Sequence, residues 1–261
     1  MHTDLDLLIL SLDTATEMRS VALCRGRRQL AGHVCVDERE NSATLLRDVD
    51  AVLAIAGATV ADVDLFAVAC GPGRFTGLRA GIATVQALAA TLGRPAAGVP
   101  TLHGVAHVAG PASLVVAVLP AGRGEVFAQL LEVTGTGVVV EHGVPVHLSP
   151  SELMRRALSW DAPLRWAISG RARSMFERLE EFADRAGILW IDETRTGAER
   201  TAVVAPAWSL AAPVEALAVA IAELALRRYQ TGESLNVEHV RALYVRLSDA
   251  EIKEQCRASS M

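Results

Sequence analysis

The feature that most constrains this fold is a repeat: twice along the chain, three strand-like runs follow one another. Residues 7–12, 20–24 and 29–36 are apolar runs joined by short polar turns, the second turn being Arg25-Gly-Arg-Arg28. Residues 114–119, 125–133 and 137–148 restart the pattern, with Gly135 and Gly137 supplying turn residues. In the first half, Leu45, Val49, Val52 and Ala56 recur at helical spacing across residues 42–56, with Asn41 or Ser42 as cap and Gly57 as stop. A strand at 65–70, a helix at 76–92 and a short strand at 96–99 follow. In the second half, helices are predicted at 150–158, 172–186 and 213–229, a strand at 164–169, and a closing strand from the alternation Leu243, Val245, Leu247. This order predicts an α/β fold of two subdomains, 1–110 and 111–261, duplicated about a cleft.

Composition narrows the function. The 261 residues are 51% hydrophobic and 21% charged, enough for a sizeable core. Aromatic residues make up only 4%, and the formal net charge is -5, so a chain that by itself grips a nucleic acid over a broad surface is disfavoured. Cys24, Cys35, Cys70 and Cys256 form no C-x-x-C pair and read as buried thiols. Residues 7–12 are too short a run for a signal-peptide core, and no stretch reaches the roughly 18 apolar residues that span a bilayer, so a cytoplasmic location is expected.

Between the strand at 65–70 and the helix at 76–92 lies the loop Cys70-Gly-Pro-Gly-Arg-Phe-Thr-Gly77. Backbone N–H groups at such a junction suit an anion. Its spacing, G-x-G-x-x-x-G, is one residue too long for the dinucleotide fingerprint, and no lysine follows Gly77 as a mononucleotide P-loop requires. Either the loop faces an anion or another chain, or its glycines merely bend the backbone. The helix after it has no charged residue from Ala80 to Leu92: Leu78, Ile82, Val85, Ala89 and Leu92 form one stripe, and Gly77, Gly81, Thr84, Leu88 and Thr91 the other side. It is covered either within its own domain or at a subunit interface shared with residues 42–56.

Leu12-Asp-Thr-Ala-Thr-Glu17, Gly71-Pro-Gly-Arg-Phe-Thr-Gly-Leu-Arg79, Gly98-Val-Pro-Thr-Leu102 and Gly124-Glu-Val-Phe127 occur in an order and spacing that resembles the TsaB (YeaZ) family. Val237-Glu-His239 and Tyr244-Val-Arg246 look like its C-terminal pattern. The resemblance implies the duplicated actin-like, RNase H-like (ASKHA) fold with mixed sheets flanked by helices. It further implies a non-catalytic subunit that activates a TsaD-like catalytic partner, with a TsaE-like ATPase attached to the pair. Their joint task would be N6-threonylcarbamoyladenosine formation in tRNA beside the anticodon, with tRNA met indirectly, through the complex. Alone, such a chain would pair with itself; it would carry no metal and no intrinsic cofactor, with ATP or ADP at a shared interface.

On this reading Asp13, Thr14, Thr16, Gly71, Gly73, Arg74 and Thr76 are the remnant of a phosphate site. The partner interface is expected at Leu45, Val49, Thr76, Gly77, Arg79, Gly81, Thr84 and Leu88. Asp13 and its threonines could equally cap a turn. His103 and His107 form an H-x-x-x-H pair that puts both rings on one helix face. Registered against the catalytic relatives, the ligand positions fall on Thr101 and Val105. A two-residue shift is about 200 degrees on a helix, which turns the histidines away from the cleft. The chain also departs from the family at Pro120, where an aspartate is frequent, at Asn41 in place of histidine, and at Arg74 in place of serine. The alternative reading is an actin-like small-molecule kinase or ATPase built on Asp13 and the glycine loop, with Ser169-Gly170 as a faint adenosine loop. A peptidase reading finds no nucleophile with a base at suitable spacing.

Overall fold

The computed structural model describes residues 6–35, 42–160, 162–193 and 207–245. β1 (Leu8–Asp13), β2 (Arg19–Arg25) and β3 (Arg28–Cys35) form an antiparallel meander. α1 (Ser42–Ile55) leads to β4 (Leu65–Ala69), α2 (Phe75–Leu92) and β5 (Ala96–Val99), and β4 and β5 join β1 in parallel. The sheet order is β3-β2-β1-β4-β5. α3 (Thr101–Ala109) crosses to the second sheet.

There β6 (Ala112–Gly122), β7 (Glu125–Val133) and β8 (Val139–Glu141) repeat the meander, with β9 (Val146–Leu148) also on β7. α4 (Pro150–Ala157) precedes β10 (Leu164–Ile168), which pairs parallel to β6. α5 (Leu179–Arg185), β11 (Leu189–Asp192), β12 (Ala207–Leu210) and α6 (Ala218–Gln230) follow, and the order β11-β12-β10-β6-β7-β8 mirrors the first sheet with one added edge strand.

Alternation along the strands sends side chains to two faces, so each sheet needs cover on both. Leu8, Leu10, Leu12, Phe66 and Val68 point toward α1 and α2. Ile9, Ala22, Leu65 and Ala67 point the other way, into a shared layer where α3 and α6 lie between the sheets and also meet Val115, Ala117 and Leu131 of the second. On the outer side of that sheet Trp166 packs on Trp208 and Phe176, with ring centres 5.3 and 5.8 Å apart. Two buried serines fasten the shared layer: Ser11 Oγ donates to Ala218 O at 2.7 Å, and Ala218 N–H donates to Ser20 Oγ at 3.1 Å. The halves thus exchange helices, since α6 from late in the chain covers the first sheet and α3 covers the second.

Four sequence expectations change. The run 137–148 is two short strands, because Gly143 and Pro145 interrupt pairing with β7. The helix at 172–186 is a 3-10 stretch, Gly170–Phe176, followed by α5. The helix at 213–229 starts only at Ala218, because Val214 instead bridges Ser169. Leu243 and Val245 belong to no strand, and Leu247 lies outside the described residues, as do Val36, Asn41, Arg246 and Cys256. β11 and β12, each four residues long, are strands that the sequence pattern does not predict.

Candidate functional site: a closed glycine loop beside an alanine-faced helix

Asp13 ends β1 and is fully buried. Its Oδ1 accepts the N–H groups of Ala15 and Thr16 at 2.9 and 3.2 Å, and its Oδ2 accepts Thr16 Oγ1 at 2.5 Å. Burial pushes its carboxyl up to about 6, against those stabilising bonds. Thr14 Oγ1 donates to Gly77 O at 2.8 Å, and Arg74 N–H donates to Ala15 O at 2.8 Å. A Cβ on Gly73 would stand 2.5 Å from Ala15 O. One on Gly77 would overlap Thr14 O, and one on Gly81 would overlap Thr14 Oγ1. The glycines at four-residue steps therefore make a groove into which the 14–15 backbone lies.

The loop is closed from two further sides. Gly71 N–H donates to Thr101 Oγ1 at 3.0 Å, and Thr101 N–H donates to Gly71 O at 2.8 Å. Leu243 N–H donates to Cys70 O at 2.7 Å. Gly71 has φ 115° and its absent Cβ would lie 2.5 Å from Leu243 O, so only glycine fits. Of the residues expected as a phosphate remnant, Asp13, Thr14, Thr16, Gly71 and Gly73 are thus engaged with the chain itself, while Arg74 and Thr76 are exposed. Ser169-Gly170 meets Glu17 across the halves: Arg171 N–H donates to Glu17 Oε2 at 3.2 Å.

His103 and His107 diverge to different partners. His103 Nε2 lies 2.9 Å from Glu141 Oε1 on β8. His107 Nε2 lies 2.9 Å from Glu223 Oε2 on α6, and its Nδ1 lies 3.2 Å from Gly137 O. Burial lowers the His103 pKa against the pull of Glu141, and the hydrogen bond from His107 lowers that of Glu223. Among the described residues no group of three His, Cys, Asp or Glu side chains is placed to hold a metal. Cys24 and Cys70 are buried thiols pushed up to about 11 by desolvation.

The expected interface residues separate into two sets. Leu45 and Val49 are 1% and 3% exposed and pack under α1 into the first sheet, and Gly81 is buried against Thr14, so none of these three offers a surface. Gly77, Thr84 and Leu88 are half-buried, the Thr84 hydroxyl donating to Ala80 O at 2.8 Å. Thr76 and Arg79 are exposed. The solvent side of α2 continues through Ala83, Ala87 and Ala90, and α1 adds Leu46, Ala51, Ala54 and Ile55. Helical spacing thus identifies α1, but Leu45 and Val49, expected at the interface, face the core.

The chain matches the family model for tRNA N6-adenosine threonylcarbamoyltransferase (TsaD) over residues 36–154, from the connection before α1 into α4. It is 38% identical over 122 residues to the Escherichia coli tRNA threonylcarbamoyladenosine biosynthesis protein TsaB, covering 46% of this chain and 52% of that one. The structure superposes on YeaZ from Pseudomonas aeruginosa with a TM-score of 0.67 and 29% identity, covering 91% of this chain and 99% of that one. In sequence and in structure the chain is similar to TsaB/YeaZ proteins. It spans about half the length of the curated relatives it matches. A ROK hexokinase from Thermus thermophilus, at 14% identity and a TM-score of 0.52 over 87% of this chain and all of that one, shares the actin-like fold alone. The Escherichia coli relative and its Haemophilus influenzae counterpart are both named as tRNA threonylcarbamoyladenosine biosynthesis proteins. Among the described residues, no helix is long and apolar enough to cross a membrane.

Proposed function

We propose that this chain is a non-catalytic subunit that docks a TsaD-like catalytic partner through the outer faces of α1 and α2 for threonylcarbamoyladenosine formation in tRNA. One observation carries the reading: α2 exposes Ala83, Ala87 and Ala90 to solvent along a helix with no charge from Ala80 to Leu92. A solvated helix face is ordinarily lined with charged and polar groups, whereas small side chains let a second helix approach closely. Leu46 and Ile55 on α1, 54% and 70% exposed, add apolar side chains over the same face of the sheet, beside exposed Arg47 and Asp50. A homodimer through this surface would form where the partner is absent. The closed loop supports the absence of catalysis, because Asp13 already spends its acceptors on Ala15 and Thr16. A TsaE-like ATPase and a nucleotide at the shared interface complete the proposed assembly.

Ala87→Glu places a charge at the centre of that face without touching the core. Co-purification with the TsaD-like partner should be lost while the melting temperature stays within a few degrees, and reconstituted tRNA modification should fall with it. Partner binding untouched by Ala87→Glu and by Ala83→Glu would place the interface elsewhere.

A further inference from the structure

Charge is segregated around the start of α2. Residues 71–92 and 239–245 contain Arg74, Arg79, His239 and Arg241 and no carboxylate, the exposed Glu238 standing at their border, in a chain of formal charge -5. The fold brings these two segments together: Gln86 Nε2 donates to Val240 O at 2.9 Å, and Arg79 Nε donates to the Tyr244 hydroxyl at 3.3 Å. The Arg79 guanidinium lies 4.0 Å over the Phe75 ring, whose centre is 5.5 Å from that of Tyr244. Phe75 and Tyr244 are 36% and 48% exposed, and Arg74, Arg79 and Arg241 are exposed as well. Among the described residues no carboxylate pairs with these three guanidinium groups; Arg241 Nε donates to the backbone oxygen of Glu238 at 3.2 Å.

A guanidinium stacked on a ring keeps its other face for a further flat group, and arginines without a carboxylate partner on the same two segments fit phosphates. A nucleobase with its flanking phosphates uses both features. An acidic protein segment would answer the charge and leave the rings idle. We propose that Arg74, Phe75, Arg79, Arg241 and Tyr244 form a contact surface for single-stranded RNA, so that this subunit touches the RNA directly. The choice of RNA over other polyanions rests on the tRNA-modification reading above. Low aromatic content and negative net charge describe the whole chain, whereas here two rings and Arg79 are in contact, with Arg74 and Arg241 exposed on the same two segments.

Binding of an unmodified tRNA transcript to the full chain, alone and with the TsaD-like partner, can be measured from about 50 to 200 mM salt. The double variant Arg74→Glu, Arg241→Glu should bind at least tenfold more weakly. Its slope of log Kd against log salt should fall by about two, one for each guanidinium lost. Its melting temperature and its co-purification with the partner should be unchanged. No tRNA binding by the wild-type chain in either form, or equal affinity in wild type and variant, overturns the proposal. So does loss of partner binding with tRNA affinity intact, which would assign the patch to an acidic protein face. Because Ala87→Glu tests partner docking separately, failure of one reading leaves the other standing.

Discussion

Thr14 and Gly77 hold the first strand turn to the helix after the glycine loop: Thr14 Oγ1 donates to Gly77 O at 2.8 Å, and the Thr14 carbonyl occupies the space a Gly77 Cβ would need. Thr14 also fills the place of a Cβ on Gly81 with its hydroxyl oxygen. One threonine therefore explains two of the glycines.

This pairing predicts a coupled energy. Gly81→Ala should destabilise the chain by about 2 kcal/mol despite the helical gain of roughly 1 kcal/mol that alanine ordinarily brings over glycine. In a Thr14→Ala background, where the obstructing oxygen is gone, the same change should cost at least about 1 kcal/mol less. Denaturant melts of the four chains of this cycle provide the check, and additive costs would show that Gly81 is not fitted to Thr14. Gly77→Ala should cost more and show no such relief, because it meets backbone.

That distinction marks how far the sequence could be read. Near-continuous apolar runs in 7–12 and 20–24, and the helical spacing of Leu45, Val49 and Val52, report buried strands and a helix directly, so the first sheet and α1 were legible. A glycine reports only that a Cβ is unwelcome. A phosphate and a neighbouring backbone make the same demand, and the partner of Gly77 is 63 residues away in Thr14. For the same reason the Leu243, Val245 alternation was misleading: that segment gives one N–H to Cys70 O and lies over Gly71 rather than entering a ladder. The outward alanines of α2 were hidden because small residues suit both a core and a close helix contact.

The buried Asp13 predicts a pH dependence with a definite sign. Its folded pKa of about 6 exceeds the ordinary 3.8, so folding takes up a proton between these values. The associated stability is fully present below about pH 4 and is lost as pH rises through 6, on the order of 3 kcal/mol at 1.36 kcal/mol per unit. Asp13→Asn keeps an oxygen for the Ala15 and Thr16 N–H groups and cannot ionise. Unfolding free energies from pH 4 to 7 should decline less steeply in this variant than in wild type; parallel profiles would refute the assignment.

Leu45 and Leu46 are neighbours with opposite fates, at 1% and 54% exposure. Leu45→Ala should cost about 2–5 kcal/mol of stability through lost burial and a cavity. Leu46→Ser should leave stability within about 0.5 kcal/mol and weaken association with the partner. Thermal melts and co-purification of both variants separate packing from docking, and a destabilised Leu46→Ser would remove α1 from the proposed surface.

The segment after α6 acts as a strap over the first sheet. Ala96 N–H donates to Leu235 O at 3.2 Å, which pairs the edge strand β5. Farther along, Val240 is 1% exposed, and its Cγ1 lies 3.5 Å from where a Cβ on Gly98 would stand. Gln86 from α2 reaches its carbonyl, so the strap ties β5, the glycine loop and α2 into one unit. Val240→Ala removes two buried methyl groups at about 0.8 kcal/mol each and leaves a small void, a cost of about 2 kcal/mol. Because the residue anchors Leu243 and Tyr244 above the loop, amide exchange at Leu243 should quicken more than at Leu10 in the centre of β1. Equal acceleration at both sites would mean that the strap opens only when the whole domain unfolds.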